Sequence, residues 1–163
     1  MSMKRSVLAC ALVGGLCVLA LTPAARADGK LRVAVKRFVA EGVAPATASA
    51  LESSFCQALG AEAIDVLCPS DIQALVQLKQ AQMSFGTCGD DDEKCVRELA
   101  KLTEATRIVT GKISKVGGLY LVNLTLLDAA SGKVIARTSD RATKEEELVD
   151  KLAGLAKKLA RAK

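Results

Sequence analysis

The sequence predicts an α/β (α+β) fold: a single mixed sheet of five strands, two linked by a helical crossover and three forming an antiparallel meander, covered by about four helices. Three observations carry that reading. Apolar residues recur at three- and four-residue spacing in several stretches. They alternate with polar residues at period two between Arg107 and Ser139. Gly117-Gly118 and Ala129-Ala130-Ser131-Gly132 interrupt that alternation with hairpin turn chemistry.

The chain has 163 residues. Residues 1–27 pass from Lys4 and Arg5 through the apolar run Val7 to Leu21, then to Pro23 and Ala25-Arg26-Ala27. That order is the pattern of a secretory signal peptide, with cleavage expected after Ala27. The apolar run is shorter than the roughly 20 residues a spanning helix needs, so no transmembrane segment is expected after cleavage. Cys17 follows Leu16 rather than a small residue, and Cys10 comes early in the run, which argues against lipidation. Residues 28–163 are expected to form one domain, exported to the periplasm or beyond the cell.

Of the 23 Lys and Arg residues three lie in the leader, so the mature chain carries 20 against 18 acidic groups. This near balance does not call for nucleic acid as a partner, and one tyrosine with no tryptophan leaves little of the stacking surface single-strand binders use, so no nucleic acid is expected.

Taken in order, Leu31 to Val39 alternates branched and basic residues and reads as a strand. From Ala46 to Gly60, Ala48, Leu51, Phe55, Ala58 and Leu59 mark a helical face. Ile64 to Cys68 is short and branched, and Pro69 ends it as a strand. Ser70 as N-cap with Gln73 three residues on predicts a second helix, with Ile72, Leu75, Val76 and Met83 on one face, ending near Phe85-Gly86. Cys95, Val96, Leu99 and Leu102 predict a third, running to about Ala105. Arg107 to Val116, Leu119 to Asp128 and Lys133 to Ser139 are the meander strands; Tyr120, Val122, Leu124 and Leu126 share one face while Asn123 and Thr125 take the other. Thr143 with Glu146 predicts a capping box for the last helix, whose stripe is Leu148, Val149, Leu152, Leu155, Ala156 and Leu159.

Four cysteines survive leader removal: Cys56, Cys68, Cys88 and Cys95. An even number in an exported chain favours disulfides, and three connectivities are open. Pairing Cys88 with Cys95 and Cys56 with Cys68 is favoured because each closes a short local loop. Between Cys88 and Cys95 stand Asp90, Asp91, Asp92 and Glu93. Consecutive acids lack the alternate ligand positions, central glycine and distant glutamate of a calcium loop. The chain contains no histidine, which removes the common zinc sets and the usual base for a serine or cysteine nucleophile. The acids serve better as the cap of the third helix, set against its positive end. No catalytic, metal or cofactor-binding residue is therefore assigned, and no cofactor is expected. A calcium or small-ligand module built on Asp90 to Glu93 is the alternative.

The Ser70-Asp71-Ile72 helix start, the Thr110-Gly111-Lys112-Ile113 strand, the Gly117-Gly118 turn, and Leu126-Leu127-Asp128 followed by Ser131-Gly132-Lys133-Val134 belong together. In combination they resemble exported bacterial proteins related to the TolB amino-terminal domain, the CsgG-like curli secretion proteins and the LpoB-like activators of penicillin-binding proteins. The resemblance implies an α/β domain without catalysis that binds another protein of the cell envelope.

Overall fold

The computed structural model describes residues 31–78 and 93–162. Their elements are β1 (Arg32–Val35), β2 (Val39–Glu41), α1 (Pro45–Gly60), β3 (Asp65–Leu67), α2 (Pro69–Leu78), α3 (Glu93–Thr103), β4 (Arg107–Val116), β5 (Leu119–Asp128), β6 (Val134–Ala142) and α4 (Glu145–Ala160). The strands form one mixed sheet in the order β3-β1-β4-β5-β6, with β2 also beside β4. β1 runs parallel to β3 and β4, while β4, β5 and β6 are antiparallel. The predicted crossover and meander are both present.

Where one strand was expected from Leu31 to Val39, the chain makes two. β1 pairs Val35 with Val109 and β2 pairs Val39 with Lys112, so one extra residue is inserted against β4. Such an insertion bends the strand and takes a residue out of the ladder. The Lys36 N–H still donates to the Val109 carbonyl at 2.8 Å. The Phe38 N–H instead donates to Glu52 Oε2 of α1 at 2.7 Å. Phe38 then lies over Gly111, where a Cβ would stand 2.4 Å from its Cδ1, and its ring centroid is 5.5 Å from that of Phe55. The break shifts the phase of the alternation, from Val33 and Val35 to Phe38 with Arg37 exposed between, too short a signal to separate two strands from one.

The sheet has a helical layer on each face. On one, α1 and α4 bury Leu51, Phe55, Leu59, Leu148, Leu152 and Leu155 against Val35, Val109, Ile113, Val122, Leu124 and Leu126. On the other, α2 and α3 bury Ile72, Val96, Leu99 and Leu102 against Ala34, Ile108 and Leu127. Of the stripe expected on α4, Val149 falls outside: it is 42% exposed.

Helix starts differ from expectation by about one residue. Ser70 is not the N-cap of α2, because Pro69 already occupies the first helical position, as its missing N–H allows. The Cys68 carbonyl accepts the Ile72 N–H at 3.0 Å, and Asp71 Oδ2 accepts the Cys68 N–H at 2.9 Å. The capping carboxylate is thus Asp71 rather than the Gln73 side chain. The predicted continuation of this helix to Phe85-Gly86, with Met83, lies outside the described residues. In α4 the N-cap is Lys144 with no side-chain cap, so the expected Thr143–Glu146 capping box is not made; instead Glu147 Oε2 accepts from the Thr143 N–H at 3.2 Å and from its hydroxyl at 3.3 Å. α3 stops at Thr103 rather than Ala105, and Glu104 takes the left-handed conformation that ends it, at φ 54°.

Gly117 and Gly118 make the two-residue β4–β5 turn, with Gly117 at φ 60°. In the β5–β6 loop Asp128 Oδ1 accepts from the Ser131 N–H at 2.9 Å and its hydroxyl at 2.8 Å.

Candidate interaction face

In a strand, successive side chains point to opposite faces, so the register of β4, β5 and β6 sorts every residue of the meander. Val109, Ile113, Tyr120, Val122, Leu124 and Leu126 point towards α1 and α4. Their neighbours point the other way. There α2 and α3 cover only the end of the sheet around Ala34, Ile108 and Leu127. Beyond that end the face carries Lys112, Asn123, Thr125, Arg137, Ser139 and Arg141, and among the described residues no helix packs over it.

This open surface mixes three chemistries. Val116 is 65% exposed and Val39 38%, giving apolar area. Asn123 and Ser139 are exposed and offer hydrogen bonds. Arg137 and Arg141 are exposed cations on the outermost strand. Lys112 and Glu41 pair at 2.6 Å, and Ser114 Oγ donates to Glu41 at 3.3 Å. The Lys112 hydrogen bond holds the Glu41 carboxyl below its ordinary value, against partial desolvation. The face therefore presents a local positive balance. A shallow hollow of about 320 Å³ lies between Leu121, Asn123, Ser139, Asp140 and Arg141. Asp140 itself is held below the usual carboxylate range, first by the Arg141 N–H and then by Lys151 of α4.

On the other face of this same end, the meander is tied down. Lys115 Nζ donates to the Tyr120 oxygen at 2.7 Å, and the Tyr120 hydroxyl donates to Glu145 Oε1 at 2.7 Å. The Tyr120 contact raises Lys115 above its ordinary value, with Glu145 adding to it. This relay fixes the start of α4 to the β4–β5 hairpin.

Cys56 and Cys68 come together, their Cα atoms 6.0 Å apart, a span that a disulfide bridges. Cys56 lies in α1 and Cys68 opens α2, so the pair joins the two helical layers around the β3 edge. Cys95 is buried on α3, and its predicted partner Cys88 lies outside the described residues, as do Asp90, Asp91 and Asp92. Glu93 opens α3. Among the described residues no group of three or more His, Cys, Asp or Glu is placed to hold a metal. The sequence placed Asn123 and Thr125 on this face but assigned no residue of it a binding role. Its signal was nonetheless printed there, in the polar positions that alternate with apolar ones through β5 and β6.

No protein-family model and no curated protein sequence matches this chain. Solved structures do. The lipoprotein GNA1162 from Neisseria meningitidis is similar at TM-score 0.56 and 14% identity, over 80% of this chain and 97% of that one. The LpoB C-terminal domain from Salmonella enterica is similar at TM-score 0.54 and 14% identity, over 72% of this chain and 87% of that one. The PelC dodecamer variant from Paraburkholderia phytofirmans is similar at TM-score 0.54 and 17% identity, over 82% and 90%. At these identities the likeness establishes a shared fold.

Proposed function

We propose that residues 28–163 form a non-enzymatic accessory domain of the bacterial cell envelope, exported after cleavage at Ala27, that binds another envelope protein through the open sheet face. One observation carries the reading: a sheet face that no helix among the described residues covers beyond α2 and α3, bearing Val39, Val116, Asn123, Arg137 and Arg141 together. Mixed apolar and polar area with arginine is the composition of protein-binding surfaces. The shared fold with the LpoB C-terminal domain and with lipoprotein GNA1162 supports an envelope setting. Among the described residues no helix is long and apolar enough to cross a membrane. The bridges Cys56 to Cys68 and Cys88 to Cys95 belong to the same proposal, as staples suited to an oxidising compartment.

A photo-crosslinking residue at Asn123 tests this in cells, with Lys157 on the far side of α4 as the control position. A discrete adduct with one envelope protein from Asn123 alone is the expected result. Equal adducts from both positions, or none, overturn the reading. Non-reducing peptide mapping of the same material is expected to give Asp28 as the first residue and both bridges.

A further inference from the structure

We propose that the outer edge of β6 receives an extended acidic segment of the partner as an added strand, with carboxylates at alternate positions set against Arg137 and Arg141. The proposal rests on the open face being the binding site and specifies the chemistry of what binds.

β6 ends the sheet, and among the described residues it pairs with β5 alone. In an antiparallel ladder the N–H and C=O of one residue point to the same side, and successive residues alternate. Arg141, opposite Leu121, donates its N–H to Asp140 Oδ1 at 2.8 Å, so its backbone faces away from β5. Ser139 and Arg137 share its parity. Their main-chain groups therefore form the outward edge, a ready template for strand addition. Asp140 takes up the outward N–H at Arg141, which limits the open stretch to the part of β6 that precedes it.

Charge selects the occupant. The side chains of Arg137 and Arg141 lie on the open face, exposed, and among the described residues neither forms an ion pair. They stand four residues apart, about 13 Å along a strand, so carboxylates four apart on an added strand meet both. Arg–carboxylate pairs can be bidentate, which gives register as well as attraction. A second copy of this chain fits poorly: antiparallel pairing centred on Ser139 places Arg137 opposite Arg141, and like charges opposite each other destabilise.

The test uses the full mature chain and two fluorescent ten-residue peptides, one alternating Thr with Glu, the other Thr with Lys. Anisotropy is expected to show binding of the Glu peptide only, weakening with salt. Arg137→Glu with Arg141→Glu is expected to lower affinity by about tenfold or more. Ser139→Pro removes one outward N–H while leaving the bonds to β5 in place, and is expected to cost a comparable factor. In the unaltered protein, bound Glu peptide is expected to slow hydrogen exchange at the Arg137 and Ser139 amides. Absence of binding, equal binding of the Lys peptide, or unchanged exchange at those amides overturns the proposal, and the exchange result decides even if Ser139→Pro fails to fold. Failure here with the Asn123 adduct intact sinks the acidic strand and leaves the interaction face standing.

Discussion

The two faces of the sheet use the same strands to opposite ends. Under α1 and α4, Val109, Ile113, Val122, Leu124 and Leu126 are all nearly sealed from solvent. Across the sheet, residues one position along the same strands, Lys112, Asn123 and Thr125, meet solvent to varying degrees. One face holds the domain together, and under the proposed function the other recognises a partner. Residue parity thus separates sealed positions from solvent-facing ones, so that substitutions one position apart should have effects of different size and kind.

The largest expected contrast is Leu152→Ala. This side chain is fully buried between α4 and the sheet, and its truncation is expected to cost about 2–5 kcal/mol in urea unfolding. A loss no greater than that of an open-face variant would break the comparison. Next is Gly111→Ala, which sets a methyl group against Phe38 and Leu124. Overpacking of this kind is expected to cost about 1–3 kcal/mol. Combining it with Phe38→Leu should return part of that loss, because the ring is the obstacle; simple additivity of the two changes would place the strain elsewhere.

Glu52 sharpens the comparison through pH. Burial holds its carboxyl above the ordinary value, opposed in part by the Phe38 N–H and by Arg37. A carboxyl raised in the folded state stabilises fully below its unfolded pKa, and that stabilisation is lost as pH rises through the folded value. The native chain is therefore expected to lose stability relative to Glu52→Gln as pH rises above the ordinary carboxylate value of 4.5. The glutamine keeps an oxygen for the Phe38 N–H. Parallel stability curves for the two proteins would show that burial does not govern this carboxyl. Smallest is Asn123→Ala on the open face, expected to change stability by no more than about 0.5 kcal/mol while weakening the crosslinked complex. A large loss of stability there would mean that this face, too, is part of the core.

Much of the fold was legible because periodicity records burial. The Tyr120 to Leu126 alternation gave the meander its inner face, and the leucine stripe of α4 gave its packing side, with Val149 the one misplaced member. Boundaries were less legible. Ser70, Gln73 and Glu146 had the right chemistry for caps, yet the main chain began α2 and α4 where Asp71 and Glu147 served instead. Glu52 gave no signal at all: an acid at the edge of an apolar stripe looks solvated until a strand break brings the Phe38 N–H to it.

Local order of residues determined the meander turns, the helical faces and the parity of the meander strands, because neighbours along the chain settle all of these. Tertiary structure decided that β1 is interrupted, that Cys56 and Cys68 meet, and that α2 and α3 leave part of one face uncovered. Those outcomes depend on which distant segments approach, and the free energy of such approaches comes from packing between parts of the chain that no local window compares.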